Sequence, residues 1–418
     1  MSGGSSPRLA WRNLWRNPRR TWLTAGGVAF AVFLVVSAMS LQLGSYTTME
    51  ETATSLLTGQ IQIHNADYVE NERIEHSLPA ASALRAQVAA VAGVEAVAPR
   101  VEAFALASAG DRSFGARVLG IEPASHGRVV RFHEQILRGR HLEGSGEAVL
   151  GDALARNLGV GLGEEVVVLG SARQGGVAAL VLDVVGLFRT GMAELDRGLM
   201  LAPLADTQEA FALPDQVHTL VIRAASLNAV PGTVARLRSR LPDRWPAGED
   251  GEAVQIRGWS EVLPELRQAI ALDWVSAALL YWIVMILVAF SVANTFIMAV
   301  FERTREFGML LAIGMRPVRI VTMLQWEALL MWALGSAVGL ALASALTGWL
   351  AHVGVYLGEG MEQMATEMYL PTRVYPEFSA TALATAPLVM LVATQIAAVL
   401  PSLRVNRMRP VDALRVAA

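Results

Sequence analysis

The stretch WVSAALLYWIVMILVAFSVANTFIMAVFERTREFGMLLAIGMRP, residues 274–317, passes from a charge-free apolar run, Trp274–Phe301, into a knot of charge at Glu302, Arg303, Arg305 and Glu306. An apolar run longer than about 18 residues is long enough to cross a bilayer as a helix. Three more runs meet that test: Trp22–Leu43, Met323–Ala351 and Ala380–Leu400. Composition agrees, with 53% of the 418 residues hydrophobic and only 17% charged. The sequence predicts an α-helical membrane protein with four transmembrane helices.

Charge sets the orientation. Arg8, Arg12, Arg16, Arg19 and Arg20 precede the first run, Arg303, Arg305, Arg316 and Arg319 follow the second, and Arg404, Arg407, Arg409 and Arg415 follow the fourth. By the positive-inside rule both termini and the second loop face the cytoplasm. The long polar stretch between runs one and two is then extracytoplasmic, as is the loop at 352–379. The basic start ahead of an apolar run resembles a secretory signal, but the run exceeds a signal core and no Ala-x-Ala site closes it, so an uncleaved anchor is expected.

The stretch between runs one and two reads as a large α+β domain of two subdomains. Leu84, Val88 and Val91 recur at helical spacing within Ser77–Ala92, between Pro79 and Gly93, and a second helix is expected over Val230–Arg240. Strands are expected at Gln60–His64, Gly115–Ile121, Val166–Leu169, Leu180–Phe188 and Thr219–Arg223. The expected organisation is an amphipathic elbow (1–21), helix one with a stalk (22–57), and the external domain (58–259) with a β-rich subdomain at about 136–213. There follow stalk and helix two (260–301), a coupling helix (302–317), helix three (318–351), the outer loop, helix four (380–400) and a cytoplasmic tail (401–418). Within the elbow, Leu9, Trp11, Leu14 and Trp15 alternate with arginines, the pattern of a helix lying at the headgroup level.

The charged segment after run two carries more than orientation needs. Its arginines satisfy the positive-inside rule by themselves, whereas Glu302, Glu306, Phe307 and Leu310 add acids and an apolar helical face suited to docking in a groove of another protein. In the third run Gly335 and Gly339 form a small-xxx-small stripe with Ala343, suited to close helix packing and a candidate subunit interface. Glu327 is an acid near the start of that run, expected at the interface with a structural partner.

Other features carry less. All 34 basic residues are arginine, so no Walker lysine and no P-loop exists here, and the chain has no cysteine. His126, His133 and His141 have no metal-site spacing and are expected as scattered surface residues; Gly159, Gly161 and Gly163 precede a strand pattern and read as a turn. No nucleophile, base and metal set emerges, and nothing points to nucleic acid.

Three segments resemble the FtsX-like permeases of ABC systems, of the LolC/LolE lipoprotein-releasing and MacB mechanotransmission types. Glu302–Gly314 is similar to their signature loop, Glu327 with Gly335 and Gly339 to the acid-then-glycines pattern of their third helix, and Pro401, Val405, Pro410, Asp412, Ala413, Leu414 and Arg415 to their closing motif. The elbow around Trp11–Arg20 and the strand Gly59–His64 add to the likeness. The resemblance implies a non-catalytic permease subunit in the inner membrane, with Glu302, Arg303, Arg305, Glu306, Phe307 and Leu310 coupling to a separate ATPase dimer that binds ATP and Mg. It implies a second copy or a paralogue as partner, contact with lipids, and a periplasmic or outer-membrane partner. Release of lipoprotein or lipid is the activity it implies first. Mechanotransmission to a periplasmic partner and MacB-like efflux of peptides or small molecules are the alternatives. Ser40–Tyr46 departs from the segment expected of a lipoprotein-releasing pair.

Overall fold

The computed structural model describes residues 6–16, 18–69, 71–246, 251–356 and 373–406. Residues 357–372 of the expected outer loop and 407–418 of the expected tail, with most of the closing motif, lie outside the described residues. The chain divides into two compact units, one holding residues up to Tyr46, Ala269–Tyr356 and those from Arg373 onward, the other Thr47–Gln268.

The helices in chain order are α1 (Ser6–Arg16), α2 (Pro18–Ala53), α3 (Ala81–Ala89), α4 (Pro123–Val129), α5 (Asp152–Leu158), α6 (Ala193–Gly198), α7 (Leu204–Ala210), α8 (Val230–Arg240), α9 (Trp259–Val262), α10 (Pro264–Glu302), α11 (Thr304–Ala312), α12 (Pro317–Val353) and α13 (Ala380–Asn406). Four of them, α2 with its π-helical extension Thr54–Thr58, α10, α12 and α13, are long and apolar enough to cross a membrane. Their ends follow local chemistry. Pro317 opens α12, where its missing N–H costs nothing, and Gly354, at φ 73°, closes it.

The helical unit packs Leu14 of α1 with Val28, Val32 and Val35 of α2, Tyr281 and Phe296 of α10, Met331 of α12 and Met390 of α13. The glycine stripe of α12 is turned toward α2 of the same chain. A Cβ on Gly335 would stand 2.5 Å from the carbonyl oxygen of Ala25, and one on Gly339 would stand 2.6 Å from that of Ala29. This corrects the expectation of a subunit interface: Gly335 and Gly339 are consumed by intramolecular packing, because their bare backbone is what lets α2 and α12 touch.

The α+β unit contains β1 (Ile61–Asn65), β2 (Val94–Ala109), β3 (Arg112–Ile121), β4 (Ile136–Gly139), β5 (Glu147–Gly151), β6 (Glu165–Ser171), β7 (Val177–Phe188), β8 (Leu199–Pro203), β9 (Thr219–Ala224), β10 (Arg244–Trp245) and β11 (Glu252–Gly258). They form one sheet in the order β10-β11-β1-β9-β2-β3-β8-β5-β7-β4, with β6 pairing β2 and β7. The β-rich segment expected at about 136–213 therefore joins the sheet through β8 on β3 and β6 on β2. Its Leu150, Leu154, Val168 and Leu182 cluster with Ala107 of β2 and Val118 of β3, while Ile63, Leu84, Leu220 and Leu237 form a second cluster under α3 and α8 that also takes in Phe211 and Leu213. Gly159, at φ 75°, caps α5 and turns the chain toward β6, as the glycine spacing implies.

The histidines correct a second expectation. His126 is buried, and its Nε2 accepts from Arg100 Nη2 at 2.9 Å, so that nitrogen carries no proton; His133 and His141 lie near enough for their charges to act on it. Among the described residues no group of His, Cys, Asp and Glu is placed to hold a metal. His64 and His218 are buried as well, and loss of solvation pushes each down to about 4, while burial and the Arg100 charge hold His126 well below the ordinary range.

Two predictions follow from this packing. Gly339→Leu is expected to lower the thermal unfolding midpoint of the detergent-solubilised chain, an overpacking cost of about 1–3 kcal/mol or more. An unchanged midpoint would show that α2 and α12 do not touch there. A histidine held below its unfolded value binds its proton only in the unfolded chain, so stability is greatest above the unfolded value near pH 6.5 and falls toward pH 4. At about pH 5.5, His64 and His218 should each cost roughly 1 kcal/mol relative to neutral pH. Near-ultraviolet circular dichroism melts of the wild type and of His64→Gln across this range measure it, and a flat profile would refute it.

Candidate functional site

The turn between the second and third long helices is built from the residues that the sequence marks. α10 ends at Glu302, α11 follows after Arg303, and Gly314, at φ 93°, reverses the chain before Pro317 opens α12. Phe307 is wholly buried, packed with Val300 of α10 and with Ile320 and Leu324 of α12. Leu310 packs half-buried at the edge of the same cluster.

Four charged side chains are strung through this turn. Arg303, 7% exposed, lays its guanidinium 5.1 Å from the centre of the Phe307 ring. Its Nη1 donates to both carboxylate oxygens of the buried Glu327 at 3.0 and 3.1 Å, and its Nε donates to Glu306 at 3.2 Å. Arg16 Nη2, at the end of α1, donates to both oxygens of Glu306 at 2.8 and 2.9 Å. Nearby, Arg20 Nη1 of α2 donates to Glu302 at 3.1 Å. Burial alone would raise the Glu306 carboxyl, but the hydrogen bonds and charges of Arg16 and Arg303 outweigh it and hold the group below the usual carboxylate range.

These pairs differ in worth. The Arg16 and Arg20 pairs are solvent-accessible and contribute about 0–1 kcal/mol each. The Arg303–Glu327 pair is buried, and removing one partner strands a charge at a cost of about 3–5 kcal/mol. Glu327 thus meets its expected structural partner, and that partner is Arg303.

The structure separates the expected site residues into two faces. Glu302 and Glu306 are engaged within the chain, Arg303 is buried, and Arg305 is exposed. Phe307 corrects the expectation of a docking anchor: it points inward and its ring is the floor on which Arg303 rests. The exposed apolar side chains of this turn are Met309 and Ile313, the latter 85% exposed, accompanied by Val318 and by Arg305, Arg316 and Arg319. Met309 and Ile313 stand four residues apart, a spacing that places both on the face opposite Phe307. Helical phase alone carries that information, whereas the Arg16–Glu306 contact joins residues too distant in sequence for any local pattern to announce.

Family comparison decides the identity of the scaffold. The MacB-like periplasmic core domain model matches residues 21–240, more than half of the chain, and the FtsX-like permease C-terminal model matches residues 278–410. The chain belongs to the FtsX-like permeases. It is a permease subunit of an ABC transporter of the LolC/MacB type, a multi-pass membrane protein of a class that works with an ATPase partner and is typically non-catalytic. The lipoprotein-releasing system transmembrane protein LolC of Neisseria meningitidis serogroup B is 24% identical over 334 residues, covering 77% of this permease and 78% of LolC. The macrolide export ATP-binding/permease protein MacB of Nitrobacter winogradskyi is 24% identical over 416 residues, covering 97% of this permease and 59% of that protein. The periplasmic region of MacB from Actinobacillus actinomycetemcomitans covers 51% of this permease and 94% of its own length, at 13% identity and a TM-score of 0.36.

A double-mutant cycle tests the buried pair. Glu327→Gln and Arg303→Met are each expected to lower the stability of the solubilised permease by about 3 kcal/mol, and the double variant to lose less than the sum. Strictly additive losses in thermal melts would show that the two charges do not act as a pair.

Proposed function

We propose that this permease couples ATP hydrolysis in a separate ATPase dimer to movement of a periplasmic domain, and that the movement releases a lipoprotein or lipid from the inner membrane. The observation that carries the reading is the division of the 302–317 turn into an ion-paired inner side and an exposed basic and apolar outer side. A loop that served only orientation has no use for a buried salt bridge that holds α11 against α12.

In this reading both termini and α11 are cytoplasmic, as the arginine distribution requires. ATP and Mg are held by the ATPase and this chain performs no catalysis. Met309 and Ile313 enter a groove of the ATPase, with Arg305, Arg316 and Arg319 meeting acidic residues around it. A displacement of α11 is passed to α12 through Arg303–Glu327 and to α1 through Arg16–Glu306. It is passed along α10 as well, a single helix of 39 residues and about 58 Å that follows the last strand of the α+β domain after the short α9. Two transmembrane subunits, identical or paralogous, sit on the ATPase dimer. For the coupling to work, nucleotide binding must favour one arrangement of the turn over another.

The LolC relatives, matched over most of both chains, favour lipoprotein release. The near-complete coverage by the Nitrobacter MacB favours a second reading, MacB-like efflux or mechanotransmission to a periplasmic partner, in which the same turn drives a different external task.

The test is co-purification of the ATPase and its hydrolysis rate in membrane-mimetic particles. Met309→Asp and Ile313→Asp place a carboxylate on the docking face and should weaken ATPase retention about tenfold or more. Phe307→Ala should instead destabilise the permease itself. Arg128→Glu in the α+β domain should leave both readings at the wild-type level. If both aspartate variants retain the ATPase and full hydrolysis, the turn is not a docking element. The release of a fluorescently labelled lipoprotein by the same particles separates the two readings of the external task.

A further inference from the structure

The α+β unit contains a cavity of about 260 Å³ over the face of the sheet where β11, β1, β9, β2 and β3 lie side by side. It is bordered by Leu57 and Thr58, which end the first long helix, and by Val262 and Leu263, which precede the second. Nothing in the coupling mechanism uses it, and its lining is polar.

Three arginines, Arg100, Arg117 and Arg257, line it against two carboxylates, Glu72 and Glu102. Both carboxylates are already committed to Arg117, which donates to Glu72 and has its Nε 3.9 Å from Glu102. Arg100 is only 2% exposed, and its one hydrogen bond among the described residues runs from Nη2 to the unprotonated Nε2 of His126, a neutral acceptor. The Nε atoms of both Arg100 and Arg117 are buried with no acceptor in the protein. His64 faces the same space and brings no compensating charge, because burial keeps its imidazole neutral at ordinary pH. The Glu102 charge reaches Arg100 but burial outweighs it, and the Arg100 Nε–H is left without an acceptor; a guanidinium is the side chain best shaped to grip an oxyanion with two parallel N–H groups.

We infer that this cavity is a binding site for a small oxyanion of the phosphate class, gripped by Arg100 and Arg257. The volume admits a phosphate group with a short polar substituent. The anion supplies the acceptor that the Arg100 Nε–H lacks.

The experiment is isothermal titration of the full-length permease, in detergent and phosphate-free buffer, with inorganic phosphate. Saturable one-site binding is expected, weakened about tenfold or more by Arg100→Gln or Arg257→Gln and unchanged by Arg197→Gln on the surface. Arg257 is only partly buried and its replacement spares the core, so it keeps the test decisive if Arg100→Gln does not fold. A parallel titration with glycerol 3-phosphate identifies the source: tighter binding than phosphate assigns a lipid headgroup, weaker binding assigns the free anion. No saturable binding by the wild type of either probe, or binding that neither arginine substitution alters, overturns the site.

Discussion

A guanidinium and a carboxylate buried together at the head of the third span hold the helical unit in register. Neither Arg303 nor Glu327 would survive in place alone, since each is almost wholly removed from water and the cost of stranding it exceeds that of most single substitutions. Their pairing forces α11 to fold back on α12, which in turn seals Phe307 between Val300, Ile320 and Leu324. Once Phe307 is inward, helical geometry leaves Met309 and Ile313 outward. The exposed face is thus a consequence of the buried pair. Glu306 extends the network to Arg16, so the elbow helix, the turn and the third span are joined by charge as well as by packing.

A second constraint acts between the first and third spans. Because Gly335 and Gly339 have no side chain, α2 approaches α12 until backbone meets backbone, and those two helices bury each other. α10 gains no such partner. Leu279, Trp282, Ile286, Leu287 and Phe290 remain exposed along it, a surface that only lipid or another apolar protein can cover. α10 still contributes Tyr281, Met285, Val292 and Phe296 to the core of the helical unit, so only its opposite side is open.

How much of this was legible beforehand depended on whether the signal was local. The four spans were, because apolar length needs no tertiary context, and so were β1, β3, β6, β7, β9 and α8, whose β-branched runs or helical periodicity match their environment. The longest strand, β2, was not. Its sequence VEAVAPRVEAFALASA is rich in alanine, which favours helix, and Pro99 interrupts it; pairing with β3, β6 and β9 overrides those preferences. At the 302–317 turn the sequence pattern puts Phe307 on the wrong face. Phe307 reads as an exposed anchor until its ring is seen beneath Arg303, and which face of a nine-residue helix is buried is decided by α12. The buried state of His126 was equally hidden, because its partner Arg100 sits on a strand that the sequence did not announce.

The chain enters and leaves the α+β unit on neighbouring strands. β1 begins just after the first long helix and β11 ends just before the second, and the two strands are antiparallel neighbours from Ile61 opposite Gly258 to Asn65 opposite Val254. Trp259 N–H donates to the Gln60 carbonyl at 2.9 Å, extending the ladder to the very ends of both strands. Relative sliding of the two strands would shear this ladder. Such shear is strongly resisted. A slip by one residue would turn Ile61 and Ile63 out of the core and bring Gln62 and His64 into it, at the cost of burying polar groups without partners. The register of β1 against β11 is thereby fixed by the alternation of side chains along them, and the β-rich segment joins the same sheet through β8 and β6.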